Sequence, residues 1–272
     1  MRPFRFGVLG APRGGGADWL ATARKAADLG YATLLMPDVM HMLAPGPALA
    51  AAAAVADIRV GTWVYAAPLR PAPYTAWEAH TLSTLTDGRF EFGIGTGRPD
   101  AAASAERLGL PFGTPGQRLA QVEATLDALR RLDGTDRHTP VLMAAGGPRA
   151  RTLAAARADA VTLATGPLTP HGEVTEAVAD LRARAGDRAE DIELAINLFA
   201  VGDEPPPHVE RVLGASWATL VAHRSLSLLP GDAVAMTDEL QRRRDEFGFS
   251  YVLITAEFAE QLAPVVAALA GH

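Results

Sequence analysis

The chain has 272 residues, of which 49% are hydrophobic, 21% charged and 6% aromatic, and it contains no cysteine. This excludes a disordered tail, a fibrous repeat and a disulfide-stapled module, and the missing thiols exclude cysteine nucleophiles and cysteine metal sites. A net charge of −6 offers no basic surface to nucleic acid or to an anionic membrane.

Met1 to Phe6 leads directly into a strand-like segment without a secretory apolar region. The longest apolar run, Pro47–Ala56, is mostly alanine and falls well short of the roughly 20 residues that span a bilayer. A cytoplasmic chain is the expectation. β-type runs fall at Phe4–Gly10, Ala32–Pro37, Ile58–Ala66, Arg89–Gly95, Val141–Ala145, Ala160–Thr165, Ile192–Val201 and Ser250–Thr255. Several, such as Thr33-Leu34-Leu35-Met36, are apolar throughout, as strands buried on both faces are.

Helical patterns alternate with these runs. The first starts at Asp18 and stops at Gly30, and others cover Pro47–Ala56, Tyr74–Thr86, Pro115–Leu132, Pro148–Ala158, Pro170–Ala185, Ala233–Phe247 and Phe258–Ala270. Eight strand–helix units in one chain predict an α/β fold, a (β/α)8 TIM barrel forming a single domain over residues 1–272. An open doubly wound sheet is the competing architecture, but the first loop, Ala11 to Gly16, lacks its glycine spacing. The stretch from Pro205 to Gly231 reads as an excursion with an extra helix between the seventh strand and the last helices.

Barrel chemistry gathers at the C-terminal ends of the strands. Those ends supply Asp38 and His41, then Trp63, Val64 and Tyr65, then Thr96, Gly97 and Arg98, and then Ala144-Ala145-Gly146-Gly147-Pro148-Arg149. In the last of these, two glycines precede a proline-opened helix. That combination gathers free N–H groups, the positive helix end and an arginine at one point, as a phosphate requires, and a bare strand-to-helix turn is the alternative. The glycines of Gly93–Gly97 allow close backbone approach, which packing alone also demands. Trp63 and Tyr65 line a ring pocket or fill the barrel, one of them facing inward. His41 either donates to a substrate oxygen or is a rim residue without chemical duty. His80 and His138 read as solvated or structural, and the run Arg242-Arg243-Arg244 reads as a solvated face and not a binding patch.

At these positions the chain resembles the luciferase-like monooxygenase superfamily, and within it the branch dependent on the deazaflavin coenzyme F-420. The resemblance rests on Phe6-Gly7-Val8, Ala26 to Tyr31 through Met36-Pro37-Asp38, Ile58 to Thr62, Leu82 to Gly97, and Leu240 to Gly248. It implies a cofactor at the barrel mouth and a non-prolyl cis peptide at Trp63-Val64 backing the tricyclic ring. It also implies Asp38, Trp63, Val64, Thr96, Gly97 and the segment Ala144–Arg149 as cofactor contacts, and a homodimer. The chain departs from the branch in having Val39 where a histidine is common, with His41 beyond it, and Arg98 where sugar-phosphate dehydrogenases carry a glutamate. It has no lysine but Lys25 for a substrate phosphate, and a short stretch from Leu132 to Pro140. Glucose-6-phosphate oxidation is thereby disfavoured.

The expected activity is hydride transfer between reduced F-420 and a small organic substrate, favouring reduction of an activated C=C or C=N bond, with His41, Tyr65 and Arg98 as candidate catalytic residues. An FMN-dependent two-component monooxygenase and a non-catalytic flavin-binding barrel are the alternatives. A stripe of Arg70, Arg107 and Arg118 leading from the mouth would favour F-420, whose tail is polyanionic. No metal, nucleic acid or membrane partner is expected.

Overall fold

The computed structural model describes residues 2–12 and 14–272. The chain runs through β1 (Arg5–Leu9), α1 (Gly16–Asp28), β2 (Thr33–Met36), α2 (Pro45–Val55), β3 (Arg59–Thr62), β4 (Tyr65–Ala66), α3 (Ala72–Leu85), β5 (Phe90–Gly95), α4 (Ala101–Arg107) and α5 (Pro115–Asp133). It continues through β6 (Val141–Ala145), α6 (Pro148–Arg157), β7 (Ala160–Leu163), α7 (His171–Ala185), β8 (Glu193–Leu198) and β9 (Ala200–Val201). The last part comprises α8 (His208–Leu213), α9 (Trp217–Ala222), β10 (Leu228–Leu229), α10 (Ala233–Phe247), β11 (Phe249–Thr255) and α11 (Ala259–Leu269).

All strand pairings in the main sheet are parallel, in the order β3-β2-β1-β11-β8-β7-β6-β5-β4, and a β3–β5 pairing closes it. Because β3 and β4 are halves of one interrupted strand, the sheet is a closed eight-stranded (β/α)8 barrel. The glycines read as helix stops, Gly30 and Gly248, take φ of +82° and +89°, a region open to glycine at little cost. No helix among the described residues is long and apolar enough to cross a membrane.

Side chains alternate between two cores. Phe6, Val8, Leu34, Phe90, Phe92 and Ile94 join the large core against the helices. Leu9, Leu35, Leu142, Ala195, Tyr251 and Leu253 fill the barrel interior, with Trp63 and Val64 packed on them.

The N-terminal end of the barrel is closed by charge. Glu91, only 4% exposed, accepts from Arg5, from Arg59 at 2.9 Å, from the Tyr251 hydroxyl at 3.1 Å and from Thr33 at 3.3 Å. Arg5 also binds Glu193 at 2.6 Å and stacks 3.6 Å above the Tyr251 ring. These groups neutralise one another away from solvent, and each retains hydrogen-bond partners.

Three expectations change. The strand expected over Ile58–Ala66 is interrupted between Thr62 and Tyr65, where the Trp63–Val64 peptide is cis. The strand expected over Ile192–Val201 breaks at Phe199, because β9 leaves the barrel to pair with β10. The excursion therefore folds as two short helices and a strand, not one extra helix. Finally, Arg243 is not on a solvated face. It is 3% exposed, and it donates to the carbonyls of Leu226 (3.0 Å) and Leu228 (2.7 Å) and to Glu239 (2.7 Å).

Candidate active site at the barrel mouth

At the strand break, side-chain bonds replace the missing ladder. The Thr62 hydroxyl donates to the Gly93 carbonyl at 2.7 Å and accepts from the Gly93 amide at 3.0 Å. A Cβ at residue 93 would run into the Thr62 carbonyl oxygen, so glycine is required by packing there. Trp63 and Val64 are half-buried, and Val64 fronts Gly95 across the break. Thr96 and Gly97 follow at the rim, with Gly97 at φ +77°.

The break sends Trp63 into the barrel interior and Tyr65 into the outer core. Tyr65 is fully buried, its hydroxyl donates to Glu78 at 2.8 Å, and the Arg70 guanidinium lies 4.1 Å from its ring centre. Burial, reinforced by the Glu78 carboxylate, holds its phenol far above the ordinary range. Tyr65 is thus withdrawn from the mouth, which corrects its expected role at the acceptor.

Asp38 stands at the rim, but its carboxylate is already engaged. Arg70 grips both oxygens, at 2.7 and 3.0 Å, and the Ala66 amide donates at 3.1 Å. Gln121 fixes the same corner by donating to the carbonyls of Ala67 (2.6 Å) and Arg70 (2.8 Å). Asp38 therefore ties the end of β2 to β4.

Of the expected arginine stripe, Arg70 is engaged by Asp38, Arg118 packs 4.3 Å over Phe112 and donates to the Gly113 carbonyl, and Arg107 is exposed at the end of α4. His41 and Arg98 are exposed on the loops after β2 and β5, and Arg98 is 86% exposed and 3.5 Å from Asp100.

The loop after β6 has the form the sequence indicates. Ala144 is half-buried, Ala145 buried, and Gly146 through Arg149 exposed. Gly147 precedes Pro148 at the start of α6, no side chain caps the helix, and the space beside Gly147 is open. Arg151, which the sequence did not single out, donates to the Gly146 carbonyl and to Asp180 at 2.6 Å. Hydrogen bonds from Arg184 and then Arg151 hold the Asp180 carboxyl down at about 2. The loop is thereby anchored from beneath while its amides face solvent. Uncapped N–H groups, a helix dipole and Arg149 fit the phosphate of a flavin or deazaflavin. Among the described residues no three His, Asp or Glu side chains come together as metal ligands do.

The structure is a closed parallel barrel with an uncapped helix start at its C-terminal rim, which places it in the class of (β/α)8 barrels. Within that class the luciferase-like monooxygenase family model matches residues 3–247, and the chain belongs to that family. Its fold is similar to that of an F-420-dependent secondary alcohol dehydrogenase in complex with an F-420–acetone adduct. The TM-score is 0.78 and the identity 15%, over 99% of this chain and 98% of that one. The coenzyme F-420-dependent tetrahydromethanopterin reductase of Methanopyrus kandleri aligns with a TM-score of 0.72 and 17% identity, over 98% of both chains. The EDTA monooxygenase of Chelativorans sp. BNC1 aligns with a TM-score of 0.74 and 12% identity, over 98% of this chain and 94% of that one. No curated protein matches the sequence.

Proposed function

We propose that the protein is an oxidoreductase that moves a hydride between reduced coenzyme F-420 and a small organic substrate, reducing an activated C=C or C=N bond. The observation that carries the reading is the exposed, uncapped Gly146-Gly147-Pro148-Arg149 start of α6 at the barrel mouth. Its amides and Arg149 would hold the cofactor phosphate, Trp63 and Val64 would back the ring, and Thr96 and Gly97 would border it. The deazaflavin supplies a two-electron hydride couple when bound. The chain contributes orientation and the exclusion of water from the barrel interior. His41 and Arg98, on the rim loops, would steady the acceptor or deliver its proton.

Reduced FMN with dioxygen is the second reading, and the pairing of Arg70 with Asp38, which takes its charge out of any basic stripe, favours it. The partners proposed are a small-molecule substrate and a second copy of the chain. Sedimentation at twice the 28.5 kDa chain mass supports the dimer, and sedimentation at the chain mass opposes it. The activity test supplies reduced F-420 anaerobically with a panel of enones and imines, and in parallel reduced FMN with dioxygen. Enzyme-dependent oxidation of F-420 with one product per cofactor supports the first reading. Oxygen-dependent product with FMN alone replaces it with the second.

A further inference from the structure

The pairing of β7 with β8 stops at Thr162–Ala195, although β8 continues to Leu198. Beyond that point the two strands part around a cavity of about 80 Å³ that no sequence motif marks. Its polar lining is Thr162, Thr165, Thr169, Asn197 and Ser227, set among apolar groups that include Phe199 and Leu226. Asn197 Oδ1 is buried and has no hydrogen-bond partner.

The roof is built for the purpose. Ser227 accepts at its carbonyl from the Phe199 amide at 2.7 Å, and the Ser225 hydroxyl donates to the Pro167 carbonyl at 2.6 Å. Arg243 clamps the carbonyls of Leu226 and Leu228 from below, and the Arg224 carbonyl lies 2.9 Å from His171 Nε2. The segment Arg224–Leu228 of the excursion thus closes over the gap and is pinned along its length. The gap lies next to the phosphate-ready loop of β6, and its lining residue Ala195 belongs to the interior core on which Trp63 and Val64, which would back the ring, pack.

We propose that this cavity is the substrate subsite, and that it takes a small uncharged molecule whose N–H or O–H donates to Asn197 Oδ1. The inference rests on the oxidoreductase reading above and narrows its substrate class. A volume of about 80 Å³ equals about six water-sized spheres, so the part of the ligand it takes has about six non-hydrogen atoms. No charged side chain lines the cavity, and Glu173 stands in the first turn of the neighbouring α7. A carboxylate or phosphate entering there would lose its hydration without gaining a counter-charge. A neutral amide or alcohol loses less, and its N–H or O–H can donate to the orphaned Asn197 Oδ1.

The test is a titration of the cofactor-free, full-length protein with crotonamide and with crotonate, matched in size and differing in charge, followed by backbone amide shifts in NMR. Crotonamide should move the Gly166, Thr169 and Ser227 amides saturably, with crotonate about tenfold weaker or more. Asn197→Leu should weaken crotonamide about tenfold while leaving F-420 and FMN affinities unchanged, and Thr165→Val should weaken it less. Equal or tighter crotonate binding, no saturable shift from crotonamide, or unaltered binding in a folded Asn197→Leu variant would overturn the proposal. Because no cofactor is present, failure of the F-420 and FMN reading leaves this result readable on its own.

Discussion

The two ends of the barrel treat their charged and helix-start groups differently, although Ser250 Oγ and Thr139 Oγ1 near the N-terminal end are also buried without partners. At the N-terminal end, Arg5, Arg59, Glu91, Glu193, Thr33 and Tyr251 saturate one another inside the barrel. At the C-terminal end, Asn197 Oδ1 and Thr255 Oγ1 are buried without partners, and the start of α6 has no side-chain cap. A polar group that has found its partner stabilises the fold and is closed to ligands. One left unpaired costs stability and is available to bind. The contrast assigns stability to one rim and chemistry to the other.

The largest expected effect lies at the closed end. Glu91→Leu leaves Arg5 and Arg59 without their shared carboxylate and should cost about 3–5 kcal/mol in urea unfolding, with the cofactor affinity of the folded fraction unchanged. Loss of cofactor binding in that folded fraction would break the division between the ends. Gly93→Ala pushes a methyl group toward the Thr62 carbonyl and should cost about 1–3 kcal/mol, which shows that a glycine near the site serves packing. Arg149→Ala should leave stability within about 0.5 kcal/mol of the parent but weaken cofactor binding about tenfold, the mirror image of Glu91→Leu.

The smallest effect concerns the roof over the β7–β8 gap. Burial opposes ionisation of Glu239, but hydrogen bonds from Arg242 and Arg243 prevail and lower its pKa from 4.5 to about 2. Its contribution to stability is therefore complete above pH 4.5 and is lost as the pH falls towards 2. Glu239→Gln should flatten the acid limb of urea stability across that window, and an unchanged limb would remove Glu239 from the clamp.

The barrel was legible because its strands, buried on both faces, leave apolar runs such as Thr33–Met36 and Tyr251–Ile254 at regular intervals. The form of the Gly146–Arg149 turn was legible because it is local to four residues. What escaped depends on partners distant in sequence. Glu91 meets Arg5 and Tyr251 only through barrel closure, and Asp38 meets Arg70 only once β2 and β4 share a rim. Asn197 lies among the apolar residues that follow Glu193 in β8, and nothing in the sequence shows that β7 and β8 part beside it. Arg243 read as surface because its neighbours are charged, whereas the helical period turns it alone toward β10. Tyr65 was misplaced for a related reason, since an interruption in a strand resets which face the following residues take.

Equilibrium binding of oxidised F-420 and of FMN to the parent protein and to Arg149→Ala, followed by cofactor fluorescence, tests the central claim most directly. The account predicts micromolar or tighter binding of F-420, weaker binding of FMN, and a loss of about tenfold in the variant without a change in unfolding midpoint. Binding of neither cofactor, or binding indifferent to Arg149, would contradict a cofactor site at the start of α6.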